Sequence, residues 1–516
     1  MVENKDGFLA VRALFALALA LALGLTARAV NIAEQELKVQ LTEVAAPGRQ
    51  FSTLARGADG ALALAWIESD GDVPVGKFSW WDAARRQWGE PRTIARGAEL
   101  EMTVNGALSL AVQPGGSLAA VWTGFRRKEG RSHFCSWWSL STDGGATWSK
   151  PLPLAPEHTA TRGAAVVALA DGRFLAAWFG YSGAKESIVE WPLCARIVGR
   201  DEPVQRVDAH GYGASPLTLA AFPDGSASLA YRTRNQDGVC DPVVARFAEG
   251  VWEAPAPVGS EGWKIELGVA AGGPRLTLDG PRMAAAWITE ADNEPRVLSS
   301  TSPDAGGLWT MAQRIDLGRP VACGDVLLLR DGSHYVLWNE KHGDDVSQPA
   351  GVYLRRVNPY GGLMRPARVA TTPPTKYESM SRLALVKEED AAGPAQLLVA
   401  YVEHGRRPTL HTVLVTLPTT AELMEMDMEC ECSAGKEPVR GYAVKGRILA
   451  VNEAQATFRV RHEPVPGLLR AGELELRVAP AVAAAVAKAP ERGFLGRLEK
   501  RAGDWWLFDV RLLGER

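Results

Sequence analysis

Between residues 60 and 401 one short pattern returns seven times, a Gly-led apolar run that closes on Trp or Tyr. The copies are Gly60-Ala-Leu-Ala-Leu-Ala-Trp66, Gly116-Ser-Leu-Ala-Ala-Val-Trp122, Gly172-Arg-Phe-Leu-Ala-Ala-Trp178, Gly225-Ser-Ala-Ser-Leu-Ala-Tyr231, Gly280-Pro-Arg-Met-Ala-Ala-Ala-Trp287, Gly332-Ser-His-Tyr-Val-Leu-Trp338 and the looser Ala395-Gln-Leu-Leu-Val-Ala-Tyr401. Their closing aromatics stand 56, 56, 53, 56, 51 and 63 residues apart. Short apolar strands cut by Asp-Gly or Gly-Gly turns at this period predict an all-β chain and a β-propeller. A helical solenoid would carry a 3.6-residue periodicity instead.

Each copy predicts the second strand of a sheet, because an apolar strand and a turn come before it, as in Leu108-Ser-Leu-Ala-Val-Gln-Pro-Gly-Gly116. The last repeat ends on Leu410-His-Thr-Val-Leu-Val-Thr-Leu417, one strand short, whereas Glu36-Leu-Lys-Val-Gln-Leu-Thr-Glu-Val44 is a spare alternating strand at the other end. The N-terminal strand is therefore expected to complete the last sheet and hide the open edges of the ring. The expectation is a seven-bladed propeller over residues 30–420, with a six-bladed ring as the alternative if the loosest copy falls outside it.

Composition adds a compartment. Residues 13–25 form an Ala/Leu-rich core that follows Lys5 and Arg12 and precedes Ala27-Arg28-Ala29, the layout of a signal peptide over residues 1–29. Periplasmic or secreted localisation follows, with no membrane span after cleavage; an uncleaved anchor over residues 8–25 is the alternative. A net charge of −3 gives no electrostatic case for nucleic acid. Cys135, Cys194, Cys240 and Cys323 fall singly in different repeats, which suits buried thiols, with one inter-blade bridge allowed in an oxidising compartment.

Two turns share a second motif. Ser141-Thr-Asp-Gly-Gly-Ala-Thr-Trp148 and Ser302-Pro-Asp-Ala-Gly-Gly-Leu-Trp309 both fit S-x-D-x-G-x-x-W, where the third strand of a blade should turn into the fourth. Such an Asp can hydrogen-bond its own turn while the Trp packs over the hairpin. On these boxes the chain resembles the sialidase superfamily, whose propellers have six blades. The resemblance implies a Tyr nucleophile, a Glu, an acid/base Asp and three Arg that hold a substrate carboxylate. Ser52 stands where the first Arg is expected, Arg232 is a candidate for the second, and Tyr377-Glu-Ser with Glu403 resembles the nucleophile strand. Loss of one charge-assisted contact costs about 1.5–3 kcal/mol, which favours a non-catalytic relative.

A ligand site is expected where the chain turns polar after each closing aromatic, at ends that share one face of the ring. The candidates are Glu68, Arg126, Arg232, Arg234, Glu290, Glu340, His342, Glu403 and His404. Solvated loop charge is the alternative for any one of them.

The C-terminal quarter carries a different chemistry. Met424, Met426, Met428, Cys430 and Cys432 alternate with acidic residues in a tract over residues 421–440 that offers soft ligands for Cu(I), or else packs as a linker. Residues 441–516 predict a small β-barrel of OB-like type. On Lys445-Gly-Arg-Ile-Leu-Ala-Val451, His462-Glu-Pro-Val-Pro-Gly467 and Trp505-Trp506 it resembles the periplasmic copper- and silver-binding barrel family. That family binds Cu(I) through one His and two Met. Here His462 stays, but Gly472 and Leu474 occupy the Met positions, so copper would depend on the upstream tract. Two functions remain open: an exported binding or scaffold protein that takes a glycan or protein ligand at the propeller face and is linked to envelope copper handling, and a sialidase-type hydrolase with a rearranged site.

Overall fold

The computed structural model describes residue 37 and residues 39–46, 52–97, 100, 108–128, 131–155, 160–181, 190–213, 215–234, 239–259, 273–290, 294–341, 350–359, 361–372, 381–391, 393–403, 408–423, 442–462, 472–487, 493–501 and 504–512. The expected signal peptide over residues 1–29, Tyr377, His342, His404 and the tract from Met424 to Cys432 lie outside the described residues.

The described residues form seven antiparallel sheets and one closed barrel. After β1 (Gln40–Val44), the first sheet holds β2 (Ser52–Arg56), β3 (Leu62–Asp70), β4 (Val73–Asp82) and β5 (Gln87–Trp88), with β6 (Arg92–Arg96) also on β4. The second is β7 (Ser109–Val112), β8 (Leu118–Lys128), β9 (Arg131–Ser141) and β10 (Leu152–Pro153). The third is β11 (Ala160–Ala168), β12 (Phe174–Tyr181), β13 (Glu190–Val198) and β14 (Gln205–Tyr212). The fourth is β15 (Thr218–Ala221), β16 (Ala227–Arg232), β17 (Pro242–Ala248) and β18 (Val251–Trp252), with β19 (Ala256–Pro257) also on β17. The fifth is β20 (Arg275–Asp279), β21 (Arg282–Thr289), β22 (Arg296–Ser302) and β23 (Gln313–Arg314). The sixth is β24 (Pro320–Leu328), β25 (His334–Glu340), β26 (Gly351–Val357) and β27 (Ala367–Thr371). The seventh is β28 (Arg382–Lys387), β29 (Gln396–Glu403) and β30 (Thr409–Thr416), with β1 as its outermost strand.

Each repeat thus supplies the second strand of a sheet. The first strands β2, β7, β11, β15, β20, β24 and β28 touch one another in that cyclic order, and β28 returns to β2. The arrangement is a β-propeller. Its turns explain the Asp-Gly punctuation: Asp59, Asp171, Asp224 and Asp331 each accept, through Oδ1, the N–H two residues on, at 3.1, 3.0, 2.9 and 2.8 Å. The glycines that follow them take φ near +87°, which disfavours any residue with a Cβ.

The closing aromatic binds neighbouring sheets together. Trp66 packs in one buried cluster with Leu398 and Leu414 of the seventh sheet, Trp122 with Ala65 and Phe78 of the first, and Trp178 with Val121 and Trp138 of the second. Tyr231, Trp287 and Trp338 likewise pack on the third, fourth and fifth sheets. These six aromatics reach back onto the preceding sheet, while Tyr401 stacks on His411 of its own sheet, and small residues such as Ala63, Ala65, Ala176 and Ala177 let the faces close.

Ring closure rests on β1, which pairs with β30 from Gln40↔Thr416 to Val44↔Thr412. There Trp88 Nε1 donates to Thr412 Oγ1 at 3.2 Å and Thr412 donates to Val44 O at 2.8 Å, which joins the first sheet, the seventh sheet and the closing strand.

The barrel consists of β31 (Tyr442–Asn452), β32 (Thr457–His462), β33 (Gly472–Arg477), β34 (Gly493–Arg501) and β35 (Asp504–Leu512), closed in the order β31-β32-β33-β35-β34. Helix α1 (Pro480–Val486) contributes Ala483 and Val486 to its core beside Ile448, Phe458, Leu476 and Phe494. The four described cysteines, Cys135, Cys194, Cys240 and Cys323, are free, so the inter-blade bridge that the sequence allowed is not formed among them. No described helix is long and apolar enough to cross a membrane.

Two measurements probe this architecture. Thr412→Val removes the central hydroxyl of the closure relay and should lower stability by about 1–3 kcal/mol in urea denaturation, with Thr412→Ser close to the parent. Asp143 of the first Asp box is held down to about 2 by the Thr147 hydroxyl and N–H and by the Ser141 hydroxyl. Its contribution is therefore complete above the ordinary carboxylate range and is lost as pH falls toward 2. Asp143→Asn should flatten the stability profile between pH 4 and pH 2.

Candidate functional site

Strand register places one residue per sheet in a common layer at the axis. Opposite the residue that precedes each closing aromatic stand Thr53, Ser109, Ala165, Thr218, Arg275, Asp325 and Arg382, paired with Ala65, Val121, Ala177, Ala230, Ala286, Leu337 and Ala400. Four of these side chains are small. The fifth, sixth and seventh sheets put Arg, Asp and Arg in the same slot, so charge gathers on one side of the axis.

The slot is a stitching position. Ser109 Oγ accepts from Val166 N at 3.2 Å, Thr218 Oγ1 donates to Pro274 O at 2.9 Å, and Asp325 Oδ2 accepts from Leu383 N at 3.0 Å, each reaching the next sheet. Asp325 also accepts from Val326 N through Oδ1 at 3.0 Å. A bulge between Cys323 and Asp325 makes this geometry possible. Its extra residue is Gly324, where a Cβ would lie 3.0 Å from Ser381 Cβ and 3.1 Å from Leu337 O. Arg382 Nη1 donates to Ser381 O at 3.0 Å and Gly324 O at 3.3 Å.

The cluster is buried and carries excess positive charge. Arg275 and Arg382 are 6% and 7% exposed. Burial and then the neighbouring Arg275 push Arg382 down to about 9, with Asp325 pulling the other way. Burial pushes Asp325 up, and Arg382 and Arg275 draw it back. Cys323 feels Arg275, Asp325, Arg232 and Arg382 together, yet burial dominates and pushes its thiol up to about 12. That thiol stays protonated at neutral pH and is not a nucleophile.

The sequence-derived candidates have varied surroundings. Arg232 reaches the same region, but its guanidinium donates to Cys240 O at 2.9 Å and to Ile288 O, which ties the fourth sheet to the fifth. Glu68 accepts from Trp66 Nε1 at 2.8 Å and from Lys77 at 2.5 Å. Glu340 repeats the device: it accepts from Trp338 Nε1 at 3.1 Å, Leu317 N at 2.6 Å and Arg319 N at 3.0 Å, and burial raises its pKa. These two carboxylates orient their own blades. Glu403 stands 3.3 Å from His411, which stacks on Tyr401 with ring centres 4.9 Å apart. Glu290 is half-buried with its pKa raised by burial, and the Arg234 N–H donates to His210 O at 2.8 Å. Arg126 lies in β8, and its side chain is outside the described set. Ser52 opens β2 opposite Trp66. In the barrel, His462 is buried at the end of β32 opposite Gly446 and Gly472. No group of three possible metal-ligating His, Cys, Asp or Glu occurs among the described residues.

Arg275, Asp325, Cys323 and Arg382 were not among the expected site residues. A signal for them exists, however. Aligned by strand register, the first strands read Thr53-Leu-Ala, Ser109-Leu-Ala and Thr218-Leu-Ala, against Arg275-Leu-Thr, Asp325-Val-Leu and Arg382-Leu-Ala.

No family model matches the chain, and no curated protein matches it. Among solved structures it is similar to a protein of unknown function from Dyadobacter fermentans, at 13% identity over 74% of this chain and 99% of that one, with a TM-score of 0.42. The NanB sialidase from Streptococcus pneumoniae matches at 11% identity over 72% of this chain and 68% of that one, with a TM-score of 0.38. An alpha-L-arabinanase from Penicillium chrysogenum, complexed with arabinobiose, matches at 13% identity over 50% of this chain and 93% of that one, with a TM-score of 0.31.

The axial cluster yields a test of its own balance. Asp325→Asn should destabilise the fold by about 1–3 kcal/mol in urea denaturation, because two buried guanidinium groups lose their shared counter-charge. Adding Arg382→Gln should recover part of that loss, a coupling that a double-mutant cycle reads directly.

Proposed function

We propose that the chain is an exported, non-catalytic propeller that binds an anionic, carboxylate-bearing ligand, such as an acidic glycan or an acidic peptide group, at the arginine side of the axis. The observation that carries this reading is the strand register that sets the buried Arg275 and Arg382 in one axial layer with Asp325 from the sheet between them. Two guanidinium groups in one low-dielectric layer favour an anion placed beside them. Arginine also meets carboxylates through paired hydrogen bonds, which adds orientation to charge.

The non-catalytic part has separate support. Glycoside hydrolysis requires an acid together with a nucleophile or base on opposite sides of the scissile bond. In the axial layer the carboxylate is Asp325, and both of its oxygens accept main-chain N–H groups. Arg232, the expected second carboxylate-binding Arg, is engaged with main-chain carbonyls. Copper has no comparable support, since the described barrel offers His462 and the tract that would complete a soft site lies outside the described residues.

Calorimetric titration with a sialic acid, its methyl ester and a neutral sugar tests the proposal. The acid should bind, the ester and neutral sugar should bind at least about tenfold more weakly, and Arg275→Gln or Arg382→Gln should each cost the acid about tenfold or more. Bound acid should also raise the melting temperature of the parent. Equal binding of acid and ester would overturn the anion reading. Release of 4-methylumbelliferone from a sialoside between pH 4 and 8, abolished by Tyr377→Phe, would replace it with the hydrolase.

A further inference from the structure

The two Asp boxes share their main-chain hydrogen bonds and differ at four positions, of which the one before the Trp places a side chain in a different environment. Ser141 Oγ accepts from Gly145 N at 2.9 Å and Ser302 Oγ accepts from Gly306 N at 2.9 Å, while Asp143 and Asp304 accept the N–H four residues on at 2.9 and 2.7 Å. In the first box that fourth residue is Thr147, exposed to solvent, with its hydroxyl donating to Asp143 Oδ2 at 2.6 Å. In the second it is Leu308, which is 8% exposed and belongs to the buried core of the barrel with Val444, Ile448, Phe458 and Phe494.

An independent observation places the barrel's connection on the same face. Ser302 pairs with Met283 near the start of β21, whereas Arg275 pairs with Ala286 toward its other end, so the box lies on the turn face opposite the arginine cluster. The propeller's last strand leaves at Thr416 opposite Gln396, the first residue of β29, and Thr420 then donates through N and Oγ1 to Glu389 in the turn between β28 and β29. The chain therefore departs toward the barrel from the turn face as well.

We propose that the second Asp box is a docking plug for the barrel: its hairpin presents Leu308, and the barrel closes its core over that side chain. The hydrogen bonds common to both hairpins use the Ser and Asp side chains and main-chain N–H groups, and they form whether the fourth residue is Thr147 or Leu308. Leucine in this position is an interdomain contact. It seats the barrel on the turn face and leaves the arginine end of the axis clear, and it stands whether or not an anion binds there.

Hydrogen exchange on the full chain tests the plug. Leu308→Thr installs the residue that the first box already tolerates, and amides of β31, β32, β34 and β35 should then exchange about ten- to a hundredfold faster while β20 to β22 keep their protection. Leu308→Met should retain most of the barrel's protection, and Thr147→Leu should change neither region. Unchanged exchange in the barrel of Leu308→Thr would overturn the proposal. So would equal loosening of β21 and β22, which would make Leu308 a hairpin residue only.

Discussion

The contact on which the molecule depends is the closing aromatic, which in six of the seven repeats packs back onto the sheet before it. A sheet of short strands needs both faces covered, and here six of the seven sheets receive a large ring from one neighbour and offer small residues to it. That packing fixes the distance of each second strand from the axis. Antiparallel pairing then fixes the first strand beside it, residue by residue. The axial layer from Thr53 to Arg382 is a consequence of aromatic packing on the adjacent strand.

Crowding at the axis explains why most slots in that layer hold Thr, Ser or Ala. A charged side chain there gives up water and must find polar partners among backbone groups of adjoining strands. Asp325 does so with the N–H groups of Val326 and Leu383, and Arg382 does so with two carbonyls. Blades five to seven thus break a rule that the first four keep. Such departures from local consistency tend to mark function.

Much of this was legible in the chain because the repeat is a packing device before it is anything else. The second-strand assignment, the N-terminal strand that completes the seventh sheet and the C-terminal strands all follow from apolar alternation and turn residues. The site was less legible. Attention falls naturally on polar residues after Trp66, Tyr231 or Trp338, yet Glu68 and Glu340 turn back to bind the indoles of their own repeats. Arg275 and Arg382 instead stand at strand openings, where charge looks ordinary until the repeats are superposed by register. A simple count back from the closing aromatic finds Asp325, 13 residues before Trp338, but misses Arg275 at 12 residues and Arg382 at 19, whose connecting turns differ in length. Leu308 escaped notice for a related reason: within a turn motif one position reads as variable, and only a second domain gives it meaning.

The closing strand has a mechanical side. β1 begins at Gln40 directly opposite Thr416, where β30 ends, so the points at which the chain enters and leaves the ring are neighbours in one hydrogen-bonded pair. Tension between those two points loads the ladder one rung at a time from Gln40 toward Val44, the peeling geometry, rather than shearing all rungs together. The relay through Thr412 sits at the far end of that ladder and feels the load last. Closure of the ring against a pull along its own chain therefore depends on one rung at a time, with the Trp88–Thr412–Val44 relay as the last to be reached.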